Sequence, residues 1–212
     1  MRSPCVPAAA APATPATPDD ALIDGLLGGE AAGYSVSAQT AVYRSEVCEE
    51  GTGCGLTIDF EKGGKVDSVE IYEAGDEGDP DALALILKAK RPALAQRIVG
   101  QGFVALDPTP WPRQPDPSTA APDSLAMSTL GGTLRWRKYT LSLVGADGKA
   151  TVLHKSCPDK PHLPSPAWVY SAAGVPVMLL KLTWSPGEQY AAGFNQFDTV
   201  EVVTLPSFDT AR

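Results

Sequence analysis

Alternation of apolar and polar residues dominates the chain and predicts antiparallel β-structure. Apolar side chains alternate with polar ones over residues 34–42 and again over residues 56–60. The pair Gly63-Gly64 separates the second of these runs from residues 69–72, a spacing typical of a two-residue hairpin turn. We therefore predict a three-stranded antiparallel meander in the N-terminal half.

One helix is predicted after the meander. Asp79 is suited to cap its N-terminus and Pro80 to its first turn. Residues 83–87 are apolar on every side, which predicts deep burial, and Pro92 is expected to break or kink the helix. The expected fold class is α+β, mainly antiparallel β-sheet with one kinked helical segment near residues 79–100.

The C-terminal half is almost entirely strand-like. Leu134 and Trp136 share one phase of alternation, whereas Leu141 and Leu143 share the other, and this slip predicts a β-bulge near residues 137–138. Residues 146–149 are typical of a hairpin turn. Further strands are expected at residues 151–153, 168–170, 175–184, 190–194 and 199–205.

Two proline-rich segments set the predicted domain organisation. Residues 1–20 form a disordered Ala/Pro tether, and residues 107–124 form a proline-rich loop or linker. The linker separates a β-meander plus helix (21–106) from an antiparallel β region (125–212), and we expect these two parts to form one body. Trp111 lies inside the linker, so we expect its ring to dock onto the folded body.

A cysteine directly before the tether suggests where in the cell the protein is located. Cys5 followed by the Ala/Pro run resembles the start of a mature bacterial lipoprotein. However, only four residues precede Cys5, and they lack the apolar stretch of a secretory signal. Trimming of the chain, a start placed downstream of the signal, or an incidental cysteine would each explain this. The expected location is the cell envelope or the medium, with the cytoplasm as the alternative.

Cys48 and Cys54 bracket a Gly-rich polar turn between two strand-like runs, which favours a local disulfide. Zinc is the competing interpretation, but this spacing lacks the tight pairs of zinc knuckles. Because disulfides persist in oxidising compartments, the pairing would imply export. Cys157 is then either unpaired or, without a lipid on Cys5, free to pair with Cys5.

The charge distribution excludes one class of partner. The formal net charge is −8, and residues 59–81 carry nine acidic residues against two lysines. Nucleic-acid binding is not expected, because phosphate backbones favour basic surfaces. No apolar run is long enough to span a bilayer, so a membrane contact is expected only through an N-terminal lipid anchor. Residues 76–81 lack the ligand order of a calcium loop.

The two histidines of the chain flank a cysteine, and this spacing gives the clearest chemical candidate. His154, Cys157 and His162 could together bind copper or zinc, or Cys157 could act as a nucleophile with a histidine base. Three prolines in and just after this stretch instead favour an exposed loop between strands. A metal-binding protein or small hydrolase that uses this loop is therefore the alternative function.

One local resemblance lies near the C-terminus. The sequence WSPGEQYAA at residues 184–192 is similar to a repeat of TolB-type β-propellers, but it lacks the aspartate before Gly187. A propeller requires several such repeats, and a turn between two strands also explains the sequence. As a whole, the chain resembles predicted secreted bacterial proteins of unknown function, a resemblance that implies no activity.

The leading functional expectation is a non-catalytic, exported envelope protein that acts as a binding or structural accessory module. The sequence has no nucleophile elbow, phosphate-binding loop or dinucleotide fingerprint, so no catalytic residue and no cofactor is expected. We expect an exposed aromatic patch to contact an unknown envelope protein or surface ligand. Its candidate residues are Trp111, Trp168 and Trp184.

Overall fold

The computed structural model describes residues 17–49, 53–73, 75, 79–112, 123–157, 162–186 and 197–206. Of residues 47–49 and 186 it describes the backbone alone. Cys5, the tether up to residue 16 and most of the proline-rich segment (113–122) lie outside the described residues.

The described residues form a β-rich fold with two α-helices, and the predicted dominance of antiparallel sheet is confirmed. The elements in chain order are α1 (Pro18–Gly28), β1 (Ala32–Ser35), β2 (Thr40–Glu49), β3 (Gly53–Lys62), β4 (Lys65–Tyr72), α2 (Pro80–Ile98), β5 (Phe103–Pro110), β6 (Ser124–Met127), a 3-10 helix (Ser128–Leu130), β7 (Gly132–Arg137), β8 (Thr140–Gly145), β9 (Ala150–Lys155), β10 (His162–Ser171), β11 (Val177–Pro186) and β12 (Phe197–Thr204).

The strands form two antiparallel sheets. The larger has the order β12-β11-β10-β5-β1-β2-β3-β4, and the smaller has the order β6-β7-β8-β9. β5 joins the two halves of the chain, because residues 103–106 pair with β1 and residues 107–110 pair with β10. Strands from both halves therefore hydrogen-bond into one sheet.

The large sheet is covered on its outer face and coils around its inner face. Both helices pack on the outer face of β2–β5, and the small sheet packs on the outer face of β10–β12. β12 also lies close to β2. Apolar side chains of β1, β2, β5, β10 and β11 meet on the inner face, where they form a third cluster.

Helix α1 was not predicted, because its first residues continue the composition of the tether. Thr17 caps it, and Asp20 returns a hydrogen bond to the Thr17 backbone, which completes a capping box. Pro18 occupies the first turn, where its missing N–H costs nothing. Four apolar residues then face the sheet: Leu22, Ile23, Leu26 and Leu27.

The first predicted strand is a hairpin rather than one continuous strand. Residues 36–39 form a turn between β1 and β2, and Gln39 adopts a left-handed backbone conformation with φ of 51°. Apolar and polar residues continue to alternate through this turn. The alternation alone therefore did not distinguish a hairpin from one continuous strand.

Helix α2 begins as predicted, with Asp79 as its cap and Pro80 in its first turn. It runs continuously through Pro92 to Ile98, so Pro92 does not break the helix, and the alternative of a kink stays a prediction. The predicted deep burial of residues 83–87 is also wrong, because none of them is buried and Leu85 is 68% exposed. The helix reaches the core through Leu94 and Ile98 instead.

The slip in alternation between β7 and β8 comes from a two-residue hairpin turn, not from the predicted bulge. Lys138 and Tyr139 form the turn, and both have positive φ values, 46° and 62°. Leu134 therefore pairs with Leu143 across the hairpin. The predicted glycine-containing turns at residues 63–64 and 146–149 are confirmed.

The start of the proline-rich segment is the second half of β5. Pro108 and Pro110 lie opposite Tyr170 and Trp168 of β10, and β1 has no partner residues at this level. Proline lacks an N–H, so strands accept it where no neighbour requires that donor. The two prolines thus fit a stretch of β5 that has a strand on one side only.

Candidate functional site

A pocket of about 310 Å³ opens at one end of the inner face of the large sheet. We call it the end pocket. Three parts of the fold meet there: the β1–β2 hairpin, the Gly63-Gly64 turn between β3 and β4, and the edge formed by β11 and β12. Its walls are formed by Tyr34, Gln39, Glu61, Gly63, Gly64, Val177, Val202 and Thr204.

Among the described residues, Glu61 is the only acidic or basic side chain that lines the end pocket. It is half-buried, and the Tyr43 hydroxyl donates a hydrogen bond of 3.0 Å to its Oε2 atom. Oε1 has no hydrogen-bond partner among the described residues. One carboxylate oxygen is thus held in place while the other is available to a ligand.

The surroundings of Glu61 oppose its negative charge. Burial raises the pKa of Glu61, the hydrogen bond from Tyr43 works against this, and the charges of Glu201 and Asp59 raise it further. Burial, together with the charge and hydrogen bond of Glu61, also raises the pKa of Tyr43 far above its usual range. A positive charge next to Glu61 would relieve this unfavourable environment.

Asp59 neighbours Glu61 on the same face of β3, but its oxygens are already engaged. The Ser45 hydroxyl donates to Oδ2 at 2.7 Å, and the Thr57 hydroxyl donates to Oδ1 at 3.2 Å. Asp59 therefore contributes charge to this region, whereas Glu61 is the carboxylate that can contact a ligand.

A second polar cluster crosses the inner face near its other end. Lys181 lies 3.0 Å from Glu30 and 3.5 Å from Asp198. The Tyr170 hydroxyl donates to Glu30 at 2.6 Å, and the Thr183 hydroxyl donates to Asp198 at 2.8 Å. Because one ammonium group lies between two carboxylates, and each carboxylate also accepts a hydroxyl hydrogen bond, we assign the cluster a structural role.

Cys48 and Cys54 face each other as directly opposed residues of β2 and β3. The Cα atoms of such pairs are about 4.5–5.5 Å apart, within the range of about 4.4–6.8 Å found for disulfides. The side chain of Cys48 lies outside the described residues, so the predicted disulfide stays a prediction.

The structure does not bring His154, Cys157 and His162 together as a metal site. Among the described residues, no group of three or more His, Cys, Asp or Glu side chains could hold a metal ion. His154 is on β9 of the small sheet and lies 3.0 Å from the Ser156 hydroxyl. His162 begins β10 of the large sheet, and Cys157 is free and exposed between them. His154 and His162 thus belong to different sheets.

Trp111 does not present its ring to solvent. It is 5% exposed and packs in the cluster between the small sheet and β10–β12. Its backbone N–H donates to Ala167, which extends the pairing of β5 with β10 by one residue. The expectation that this ring docks onto the folded body is confirmed, and its place in an exposed patch is corrected.

Trp168 and Trp184 are both half-buried, and they lie on opposite faces of the large sheet. Trp184 stacks on Phe197 with ring centroids 5.9 Å apart, and His162 meets the same Phe197 ring edge-on at 5.0 Å. Trp168 packs against the inner-face cluster. The three predicted tryptophans thus do not form one surface.

Sequence reasoning did not identify the end pocket. Alternation places Glu61 at the end of a predicted strand, which on its own indicates an ordinary solvent-exposed acid. The pocket exists because Val177 and Val202 reach Glu61 from strands more than 110 positions away. No spacing within the chain signals that meeting.

No family model, curated protein or solved structure matches this chain. In the described part of the chain, neither helix combines the length and the hydropathy needed to cross a bilayer.

Proposed function

We propose that the protein is a non-catalytic binding module of the α+β class, exported to the bacterial envelope, whose end pocket takes a cationic group. The group is an ammonium or guanidinium carried by a small molecule or by a side chain of an envelope protein. The half-buried Glu61, with one carboxylate oxygen unengaged, is the observation that carries this proposal.

The composition of the end pocket supports a cation. No lysine, arginine or histidine that the structure describes lines it, and Lys62 and Lys65 flank the glycine turn without lining the pocket. The amide of Gln39 and the hydroxyl of Thr204 can complete the hydrogen bonds of an N–H donor, while Val177 and Val202 suit an apolar stem. The net charge of −8 also attracts cations at long range.

The proposed export has separate support. The Ala/Pro tether after Cys5 is typical of a lipid-anchored protein, and the opposed positions of Cys48 and Cys54 favour a disulfide. Peptide mass mapping of protein purified from its native host, without reduction, tests both features. We expect a bridged Cys48–Cys54 peptide and a lipid-modified Cys5. Free thiols at both residues together with an unmodified Cys5 would remove the support for export.

A binding experiment tests the end pocket. We would titrate isotopically labelled protein with putrescine and arginine amide, using succinate and glucose as anionic and neutral comparison probes. We expect the amide signals of Gly63 and Gly64 to shift with the cations alone. We expect Glu61→Gln to weaken binding by about tenfold or more, because the charge-assisted hydrogen bond is lost.

Glu70→Gln is the matched control, because Glu70 is an exposed carboxylate on the adjacent strand β4. This variant should bind the cations as the unmodified protein does. Equal loss in both variants would reduce the effect to net charge, and an unchanged affinity of Glu61→Gln would refute the proposed site. Affinity should also fall on acidification, at a higher pH than for an ordinary glutamate.

A further inference from the structure

The N-terminal half of α2 is rich in apolar residues, and the described part of the chain leaves one face of it exposed. Of its apolar residues, Leu87 alone packs against a described core cluster, whereas the later residues Leu94, Ala95 and Ile98 all do. Leu85 is more exposed than any other large apolar residue that the structure describes. Helical spacing places Ala84, Leu85 and Ala89 on one face, and all three are exposed.

The charges on α2 divide into two groups. Lys90 donates to the backbone oxygen of Glu70, Arg91 bonds to aspartates of α1, and Arg97 bonds to Asp67. Asp81 and Lys88 have no side-chain partner among the described residues. These two residues flank Leu85 on the exposed face of the helix.

The acidic and basic residues on this face are ordered so that two antiparallel copies of the helix would place opposite charges next to each other. Asp81 and Lys88 are seven residues apart, about 10.5 Å along the helix, too far to pair within one chain. In an antiparallel pair of α2 helices with a two-fold axis between Ala84 and Leu85, Asp81 of each copy faces Lys88 of the other. The small side chains of the alanines on this face permit a close approach of the two helices.

We propose that this face of α2 is the interface of a homodimer. Leu85 packs across the two-fold axis, and two symmetric ion pairs between Asp81 and Lys88 set the antiparallel orientation. A single helix face is small for a protein interface, so we expect a dimer with a dissociation constant in the micromolar range.

Sedimentation of the full chain over a micromolar concentration range tests the interface. We expect a monomer–dimer equilibrium that weakens as salt is added. Leu85→Glu should abolish the dimer, since it buries two unpaired carboxylates. Val152→Glu is the matched control, because Val152 is 64% exposed on β9 of the small sheet, and it should leave the equilibrium unchanged.

Charge exchange tests the orientation. Asp81→Lys and Lys88→Asp should each weaken the dimer by about tenfold, because each places like charges opposite one another. The double variant should recover the original affinity, because it restores opposite charges across the axis. Circular dichroism checks that each variant is folded.

Three results would overturn the proposal. A monomer at every concentration would show that another segment or another partner covers α2. A dimer that persists in Leu85→Glu would place the interface elsewhere. A double charge variant as weak as the single variants would exclude the antiparallel arrangement.

Discussion

The ammonium group of Lys181 lies 3.0 Å from the carboxylate of Glu30, a residue 151 positions away in the chain. Glu30 belongs to the connection between α1 and β1, and Lys181 lies near the middle of β11. The side chain of Lys181 is 5% exposed, so its charge depends on this contact and on Asp198. The pair therefore joins the N-terminal helix to the C-terminal strands.

Removing both charges of this pair should cost less than the sum of the two single losses. Glu30→Gln leaves the buried ammonium of Lys181 with Asp198 alone, and we expect a loss of about 2–4 kcal/mol in the free energy of unfolding. Glu30→Gln combined with Lys181→Met should lose less than the sum of the two single changes. Urea denaturation of the four proteins measures this coupling, and simple additivity would show that the contact contributes nothing.

Acid should weaken the same contact. Burial opposes the charge of Glu30, but hydrogen bonds from Tyr170 and Lys181 outweigh it and hold the pKa of Glu30 below its ordinary value of 4.5. A lowered folded-state pKa stabilises the protein above the unfolded value, and this contribution is lost as the pH falls through the folded-state pKa. Unfolding measured between neutral pH and pH 3 should therefore show a shallower acid loss in Glu30→Gln. Identical pH profiles would contradict this linkage.

Glu61 should affect stability in the opposite direction. Its pKa is raised in the folded state, so its contribution is favourable at low pH and is lost as the pH rises through that pKa. We expect Glu61→Gln to raise the melting temperature at neutral pH while it weakens cation binding. A ligand that needs this carboxylate would explain why an unfavourable charge is kept there. A lower melting temperature at neutral pH would show that Glu61 supports the fold instead.

Two glycines near α1 should respond differently to alanine. A Cβ atom at Gly33 would lie 2.8 Å from Leu22 Cδ2 and 3.3 Å from the Val104 oxygen, whereas one at Gly28 would meet no atom within 4 Å. We expect Gly33→Ala to destabilise the protein by about 1–3 kcal/mol, because α1 must move away from β1. Gly28→Ala should be neutral or stabilising by up to about 1 kcal/mol, since alanine favours helix. Thermal unfolding compares the two, and equal effects would show that α1 adjusts freely.

Local signals in the sequence identified the elements whose cause is local. The Gly63-Gly64 turn and the Asp79 cap were predicted because a few adjacent residues determine each. The β1–β2 turn was missed because Gln39 adopts a positive φ that glycine would have signalled more clearly. α1 was missed because Thr17 and Pro18 read equally well as the end of a tether.

The parts that could not be predicted depend on distant pairing. Whether residues 83–87 are buried depends on which distant residues pack against α2, and hydropathy does not encode this. The same limit applies to the end pocket and to the partners of Lys181, because both need the coiling of the large sheet. His154 and His162, which are close in sequence, belong to different sheets, and the spacing of the two residues did not indicate this.

The position of β5 has a consequence for how the chain can be divided. Its residues 103–106 complete the sheet of the N-terminal half, and residues 107–110 are the strand on which β10 pairs. If the chain were cut within residues 113–122, the whole of β5 would stay on the first fragment, including the residues that pair with β1 and those that pair with β10. The second fragment would then carry β10 with one edge unpaired, so the two fragments should behave as a split protein that regains its structure only when they are mixed.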